Sequence, residues 1–520
     1  MKSVMQHQFS RVPKATIPRS SFDRSHGYKS TLEDGGYLYP ILVDEALPGD
    51  TFTLNMSAFA RMATPIYPIM DTIHMCFYFF AIPNRLLWNN WEKFCGAQDD
   101  PGDSTDFTIP TIFNGTTEAG QQEDYFGIPP GLNRTTEVSI SALPFRAYKL
   151  VWNEWFRDQN LQNSMTVDLD DGPDNAAGVY ADLLKRGKPH DYFTSSLPWP
   201  QKGDSVDIPL GTTAPVVSDG TAPTFEALVD GSNYGSIAQS GVSTALWTAD
   251  GTDSNAVFTA SGLETDLTNA TAATINQLRQ AFQVQKLLER DARGGTRYTE
   301  VIRAHFGVTS PDARLQRPEF LGGGKTRINI NPVPQTSETD GSPQGNLASY
   351  ATASANGIGF RKSFTEHCVI LGLVCVTADL TYQQGIQRMW SRSTRYDFYW
   401  PALANIGEQA VLSREIFADG SANDDDVFGY QERFAEYRYF PSMITGKMRS
   451  SATGTLDPWH CSQDFATRPV LDDTFIEETP PFDRNVAVPS EPKFIFDSYF
   501  NMKCVRPMPL YGVPGNIDRF

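Results

Sequence analysis

Four strand-like segments lie far apart in this chain, and their spacing restricts the fold more than any other feature. Residues 51–60 alternate apolar and polar side chains with period two, as in a strand with one buried face. Residues 74–82 form an aromatic run typical of a central strand, 366–380 are rich in β-branched residues, and 493–505 begin with another alternation. Because such strands can pair only over long separations, we predict a Greek-key sandwich or barrel with long insertions, rather than βαβ units.

The connecting segments contain helical patterns. The predicted helices are 86–94, 144–158, 275–290 and 297–306. Aromatic residues follow one side of the second of these helices, with Pro144 near its first turn, and Asn84 is a possible cap of the first. We interpret the apolar and aromatic stripes as packing faces, because such stripes belong to a core far more often than to a cofactor site.

Charge is distributed unevenly along the chain. The 520 residues, enough for roughly two to four ordinary domains or one heavily decorated domain, have a net charge of −18, which opposes a protein that coats nucleic acid over its whole surface. Residues 1–30 contain six basic residues and one acid. This segment is either a basic arm that contacts phosphates or a neighbouring subunit, or an ordinary solvated tail.

Residues 203–270 have the opposite character. They contain nine acids and no Lys or Arg, and Gly, Ser, Thr and Ala dominate their composition. We predict a surface insertion that faces away from any polyanion, with a flexible linker between two domains as the alternative. Residues 279–327, with ten basic residues and five acids, could face phosphates or pair with acidic neighbours across subunits.

Local motifs give little support for catalysis or for a metal site. Residues 320–326, FLGGGKT, end like a phosphate-binding loop but lack its first glycine, so we predict a glycine-rich turn. The acidic run 168–172 lacks the spacing of a calcium loop, and 424–426 is typical of a solvated face. The adjacent pairs 367–368 and 460–461, each a His followed by a Cys, point to opposite faces of a strand and cannot act together.

We therefore predict no enzymatic activity, no catalytic residues, no metal and no cofactor. The six cysteines form no C-x-x-C pair, which favours reduced thiols. No apolar run approaches the ~20 residues that a bilayer-spanning helix needs, so we also predict no membrane insertion.

Five segments of the chain resemble the major capsid proteins of microviruses, the small icosahedral single-stranded DNA phages, in their gokushovirus branch. These segments are residues 19–52, 61–96, 143–162, 287–323 and 428–449. They include RSSFDRSHGYKSTLEDGGYLYP at the start of the first segment and LPFRAYKLVWNEWFRDQNLQ in the third. The resemblance leaves out 203–270, where this family has a variable insertion.

The resemblance implies an eight-stranded antiparallel jelly roll of the viral capsid type, with large loop and helix-containing insertions. It implies assembly of sixty copies into a T=1 shell around circular single-stranded DNA, as part of a virion assembled in the bacterial host cytoplasm. A small basic DNA-binding protein, a scaffolding protein and a host surface receptor are the further partners that it implies. The insertion would form protrusions at the threefold axes and be exposed for host attachment.

On this reading the chain divides into four parts. They are a basic arm (1–30), the first part of the jelly roll with helical excursions (31–202), the acidic insertion (203–270), and helices with the remaining strands (271–520). From the charge distribution we predict that Lys2, Arg11, Lys14 and Arg19 lie near the nucleic acid. The predicted exposed residues of the insertion are Asp219, Asp230, Trp247, Asp250 and Asp253.

Two other functions remain open from the sequence. One is a soluble β-rich receptor-binding or carbohydrate-binding module that uses the insertion as its recognition loop, since jelly rolls occur in lectins and shells alike. The other is a hydrolase with a dispersed carboxylate site.

Overall fold

The structure of the chain is a computed structural model. It describes residues 18–113, 115–133, 138–175, 182–206, 216–218, 224–227, 256–260, 263–265, 274–309, 311–312 and 316–511. The chain forms two compact units, one of residues 201–292 and one of the remainder.

Nineteen strands occur in the described residues. In chain order they are β1 (Ser20–Asp23), β2 (His26–Leu32), β3 (Tyr39–Ala46), β4 (Thr51–Met62), β5 (Ile73–Pro83), β6 (Thr111–Phe113), β7 (Ile140–Ser141), β8 (Asp174–Asn175), β9 (Val216–Ser218), β10 (Thr224–Ala227), β11 (Ala256–Ala260), β12 (Leu263–Thr265), β13 (Glu319–Arg327), β14 (Asn329–Pro334), β15 (Leu347–Ser363), β16 (Cys368–Ala378), β17 (Glu408–Leu412), β18 (Val427–Glu432) and β19 (Phe494–Arg506).

The α-helices of the described residues are α1 (Trp91–Phe94), α2 (Gln122–Tyr125), α3 (Leu143–Val151), α4 (Ile275–Gly294), α5 (Tyr298–Phe306), α6 (Ser413–Ile416) and α7 (Asp473–Ile476), and a π-helical turn, Trp152–Phe156, continues α3. These α-helices have four residues each, except α3, α4 and α5. The described residues contain no helix with the length and apolar character needed to cross a membrane.

Two antiparallel sheets form the centre of the larger unit. The six-stranded sheet has the order β1-β19-β4-β15-β14, with β2 beside β1 on the same edge of β19. The four-stranded sheet has the order β13-β5-β16-β3. The long-range pairing predicted from the sequence is therefore confirmed: β4 pairs with β19 and β15, and β16 pairs with β5. The fold is mainly β with helix-containing insertions, as predicted.

The core lies between these two sheets. Alternate residues of β4 are buried along its whole length, and the matching residues of β19 face the same side. Phe77 of the four-stranded sheet contacts Phe496 of the six-stranded sheet, with ring centres 6.2 Å apart. This apolar face explains the period-two pattern, because only one side of these strands is buried.

The four-stranded sheet is buried on its other face too. There α3 and the following turn pack against β5 and β16, and the Trp155 and Phe156 rings lie within 6 Å of Phe80. The Tyr148 hydroxyl donates a hydrogen bond to the Leu38 carbonyl (2.9 Å) and fixes the helix on the sheet. The predicted aromatic packing face of this helix is confirmed.

The glycine-rich segment is a strand, not the predicted turn. Gly322, Gly323 and Gly324 belong to β13, where they pair with β5. A side chain at Gly323 would come within 2.4 Å of the Phe77 carbonyl oxygen, so the backbones approach more closely than a Cβ allows. The glycines serve this close approach rather than a phosphate cradle or a tight turn.

Three helix predictions need correction. The segment 86–94 is a 3-10 turn at Asn84–Leu86 and a single turn of helix at α1, because the turn formed by Asn89 and Asn90 interrupts the helical ladder. The apolar sides of α4 and α5 exist as predicted but do not pack: Ile275, Phe282, Tyr298 and Phe306 are exposed. Periodicity identifies the apolar side of a helix, but not whether the same chain covers it.

Two short strand pairs occur in the described residues of the smaller unit. Strand β10 pairs with β11 and β9 with β12, both antiparallel. These strands fall inside the predicted insertion 203–270, most of which lies outside the described residues.

Candidate subunit-contact surface

The structure describes one of the nine residues predicted to carry function. Arg19 is exposed just before β1, and its side chain donates a hydrogen bond to the Gly49 carbonyl. The residues outside the described part are Lys2, Arg11, Lys14, Asp219, Asp230, Trp247, Asp250 and Asp253. The predicted arm 1–30 includes β1 and part of β2, which belong to the sheet.

A large exposed aromatic surface lies elsewhere, in the insertion between β16 and β19. We call it the aromatic surface and define it by the exposed apolar side chains of residues 386–406 and 437–443. They are Ile386, Met389, Trp390, Tyr396, Phe398, Tyr399, Trp400, Ile406, Tyr437, Tyr439, Phe440 and Met443. Trp390 and Phe440 are 75% and 74% exposed, far more than large apolar side chains in a closed core.

Short turns hold this surface in place. The Asp397 carboxylate accepts hydrogen bonds from the backbone amides of Ser393 and Thr394 (3.0 and 2.7 Å). These bonds lower the pKa of Asp397 and stabilise the turn that carries Tyr396. The two segments of the surface meet where the Tyr399 amide donates to the Tyr437 hydroxyl (3.4 Å).

The arginines of the aromatic surface are largely neutralised within the chain. Arg392 pairs with Glu436 (3.3 Å) and lies over the Tyr437 ring, 4.3 Å from its centre. Arg388 pairs with Glu415 (3.0 Å), and Arg438 with Glu432. Exposed Trp, Tyr, Phe and Met beside paired arginines is the composition of protein–protein contacts, in which aromatic residues and Arg are enriched.

A cavity of about 310 Å³ opens at the edge of the aromatic surface, between Met389, Tyr437 and Phe440. Its inner side holds a buried network in which Tyr192 donates to Glu415 (2.9 Å) and Arg388 donates to the other carboxylate oxygen. Burial raises the pKa of Glu415, although Arg388 opposes this shift. The cavity thus has a fixed polar floor and an apolar rim.

No reactive centre occurs in the described residues. No group of three or more His, Cys, Asp or Glu side chains there could hold a metal ion. All six cysteines are free, and burial raises the pKa of Cys375 and Cys461, which disfavours the reactive thiolate. His460 is buried, with Nε2 2.6 Å from the Met448 carbonyl oxygen, so the interpretation of a satisfied histidine is confirmed.

Sequence reasoning missed the aromatic surface. Its first segment, MWSRSTRYDFYW at 389–400, is dense in aromatics but follows neither the strand period nor the helix period. A run of aromatics and arginines without periodicity, in a chain that already has four well-defined core strands, was the available signal.

Glu478 anchors the insertion that carries the aromatic surface, and its burial should make the stability of the protein depend on pH. Its carboxyl is almost fully buried. Its backbone amide donates a hydrogen bond to the Arg186 carbonyl (2.9 Å), which lies in the second large insertion, between β5 and β13. Burial raises its pKa from 4.5 to about 7, while Arg186 and Lys188 oppose the shift. Between these two values the folded chain holds a proton that the unfolded chain has released, so stability decreases as the pH rises through this window.

We expect Glu478→Gln to remove this loss. Above pH 7 the variant should exceed the wild type in free energy of unfolding by up to about 3 kcal/mol, whereas the two should converge below pH 4.5. Urea unfolding of the unassembled protein between pH 4 and pH 8 measures this difference. Glu477→Gln, a half-buried neighbour, is the control and should keep the wild-type pH dependence. Parallel pH curves for Glu478→Gln and the wild type would contradict the prediction.

Comparison with known proteins identifies the family. The model of the family described as capsid protein (F protein) matches residues 10–516. The chain belongs to this capsid protein family. The match extends over both central sheets and both large insertions, so membership applies to the whole architecture and not to one motif.

Three relatives are similar over nearly their full length. The chain is 49% identical to capsid protein VP1 of Bdellovibrio phage phiMH2K, with 99% of this chain and 98% of the relative covered. It is 43% identical to capsid protein VP1 of Chlamydia phage 1, with the same coverage. It is 37% identical to capsid protein VP1 of Spiroplasma virus 4, over 98% of this chain and 97% of the relative.

The predicted family and function are therefore confirmed. The chain is a major capsid protein of the small single-stranded DNA microviruses, a structural component of the virion and not an enzyme. Family membership selects the shell protein over the binding module and the hydrolase that the sequence left open. A capsid protein must associate with copies of itself, and the aromatic surface is a candidate for that contact.

Proposed function

We propose that this protein assembles into a closed T=1 icosahedral shell of sixty copies around circular single-stranded DNA, and that the aromatic surface is one of the contacts between copies. The observation that carries the second part is the exposure of Trp390 and Phe440 beside arginines that are already paired. An apolar surface with neutralised charges gains free energy when a similar surface covers it.

In this proposal the two sheets make an eight-stranded jelly roll. Its strands are β2, β19, β4 and β15 in one sheet and β3, β16, β5 and β13 in the other. The first and last of these strands in the chain are neighbours, and the chain changes sheet at β2–β3, β3–β4, β4–β5, β13–β15, β15–β16 and β16–β19. Such long-range antiparallel pairing supports the double Greek key of a jelly roll. The two large insertions leave from the ends of β5 and β16.

The remaining parts have the roles that the charges and the family resemblance imply. The arm 1–30 lies inward near the genome, 203–270 is exposed at the threefold axes for host attachment, and 31–202 and 271–520 build the shell. The further partners are a small basic DNA-binding protein, a scaffolding protein and a host receptor. Assembly takes place in the bacterial host cytoplasm.

The test is sedimentation and negative-stain microscopy of Trp390→Ser/Phe440→Ser, expressed with the candidate assembly partners. We expect the wild type to form closed isometric particles and the double variant to remain in small oligomers, because removal of two large rings weakens a contact that is repeated around the shell. Trp390→Phe/Phe440→Tyr keeps aromatic area at both positions and should form particles.

Each outcome bears on a separate part of the proposal. Wild-type protein that stays monomeric with partners and DNA present would overturn shell assembly. Normal particles from Trp390→Ser/Phe440→Ser would leave shell assembly standing and remove the aromatic surface from it.

A further inference from the structure

The outer face of the six-stranded sheet differs from every other large face of the unit. The inner face of this sheet forms the core, and the outer face of the four-stranded sheet is covered by α3 and neighbouring loops. By contrast, the outward residues of β4 and β19 are exposed at almost every second position. In the described part of the larger unit, this sheet face has no layer over it.

The pairing register places two aromatic rings next to each other on this face. Phe59 lies opposite Asp497, and Tyr499 lies opposite Ser57, so the two rings occupy diagonal positions on neighbouring strands. Each is 53% exposed, and Tyr350 of β15 is exposed on the same face. Rings at positions where an exposed strand normally has polar side chains offer flat surfaces for stacking.

Cations lie on the same face as these rings. Arg61 and Lys503 are exposed at opposite ends of the paired strands β4 and β19. Arg361 of β15 lies opposite Thr53 of β4. In the described residues no carboxylate forms an ion pair with Arg61 or Arg361, and Lys29 makes only a long contact of 3.9 Å with Asp497. The exposed acids on this face are Asp23 and Asp497. The face is therefore cationic in a chain with a net charge of −18.

Most of the remaining positions carry small polar side chains, and the exposed Ile495 is an apolar exception. Facing residues across the strands include Asn55 with Asn501, and Ser57 with Asn356. Amide and hydroxyl groups of this kind can donate and accept hydrogen bonds with bases and sugars without selecting one sequence. The face combines rings, separated cations and uncharged hydrogen-bonding groups.

We infer that the outer face of the six-stranded sheet binds single-stranded nucleic acid, with bases stacked on Phe59 and Tyr499 and phosphates near Arg61, Lys503 and Arg361. This inference rests on the proposed function and names the surface that meets the genome. Charge selects the occupant, because cations without a carboxylate partner attract a polyanion and repel a basic protein. Sequence-tolerant binding is what a shell protein needs, since each copy meets a different stretch of genome.

The inference separates this face from the aromatic surface. There Arg388, Arg392 and Arg438 are paired with glutamates and most side chains are apolar. On the sheet face, Arg61 and Arg361 have no carboxylate partner among the described residues, and most neighbours are polar. Substitutions on the sheet face should therefore weaken DNA binding, whereas substitutions on the aromatic surface should weaken assembly and leave DNA binding unchanged.

The experiment measures binding of a fluorescein-labelled oligothymidylate to the unassembled full-length protein by fluorescence anisotropy. Phe59→Ser/Tyr499→Ser should bind about 100-fold more weakly than the wild type, at about tenfold for each stacking ring. The matched control is Trp390→Ser/Phe440→Ser, which removes two even more exposed rings from the other surface and should bind like the wild type. Equal thermal unfolding midpoints would show that both variants fold.

A second variant tests the cations without touching the rings. Arg61→Gln/Lys503→Gln should reduce the slope of log affinity against log salt by about 1.4, since each phosphate contact of a single strand contributes about 0.7. An unchanged slope would overturn the assignment of phosphates to these residues.

Three further results would contradict the inference. Wild-type affinity in Phe59→Ser/Tyr499→Ser would remove the rings from DNA binding. An equal loss in the control would mean that binding is not localised to this face. If Phe59→Ser/Tyr499→Ser bound the oligonucleotide normally but no longer formed particles, the face would be a contact between copies. Failure of shell assembly itself would appear in the wild type by sedimentation, independently of the anisotropy result.

Discussion

Replacing Arg146 by methionine should lower the free energy of unfolding by about 3–5 kcal/mol, the usual result of breaking a buried ion pair from one side. Arg146 is fully buried, and its guanidinium forms two hydrogen bonds with the Asp174 carboxylate (2.8 and 2.5 Å). It also donates to the carbonyls of Leu87 and Asp170 (both 3.0 Å). The side chain therefore joins α3 to two loops, and its loss leaves Asp174 buried without its guanidinium partner.

Urea unfolding of the unassembled protein measures this loss. A double variant, Arg146→Met/Asp174→Leu, separates the buried charge from the packing, because replacing both members of a buried pair by apolar residues is often close to neutral. We expect the double variant to recover a large part of the stability. A single variant within about 1 kcal/mol of the wild type would show that the pair is not important for folding.

Gly359→Ala should prevent folding or lower stability by more than about 3 kcal/mol, beyond the usual cost of overpacking. Gly359 follows the irregularity in β15 between Asn356 and Ile358, where β15 pairs with β4. A Cβ there would lie 2.0 Å from the Leu54 carbonyl oxygen, and a backbone atom in a central strand cannot move aside. The methyl group would separate two strands at the middle of the six-stranded sheet.

Soluble yield and the thermal unfolding midpoint of the unassembled protein measure the effect. The control is Gly27→Ala in β2 of the same sheet, where the nearest atom, the Ser498 carbonyl oxygen, would be an ordinary 3.7 Å away. This variant should behave like the wild type or be slightly more stable, since alanine reduces the entropy of the unfolded chain. Similar behaviour of the two variants would contradict the steric explanation.

The central strands could be predicted because the burial of each strand face is visible in the local sequence pattern. β4 and β19 alternate because one face meets the core, and β5 and β16 are continuously apolar because both faces are buried. The aromatic stripe of α3 was equally informative, since its aromatic residues recur with the period of a helix, which a loop does not show. The segment resemblance pointed to the capsid family before any fold was known, and the full-length match confirms it.

Other features could not be predicted, because they depend on partners distant in sequence. The glycines 322–324 look like a turn until β5 is placed beside them. The helix predicted at 86–94 is broken where the Asn89 amide donates to the Leu169 carbonyl and the Asn90 side chain donates to Asp171. The helices α4 and α5 were predicted correctly from their periodicity. The prediction that their apolar sides pack within the chain was wrong, because a shell protein can leave such sides for other contacts.

Residue types and their spacing were enough to predict the strand segments, the excess of acids, the basic start of the chain and the family. Which exposed groups share a surface became known only from the folded chain. Phe59 and Tyr499 are 440 positions apart in the chain yet neighbours on one sheet face. Segments 386–406 and 437–443 likewise join only when their turns meet. The physical reason is that a surface is set by long-range backbone pairing, which local patterns do not encode.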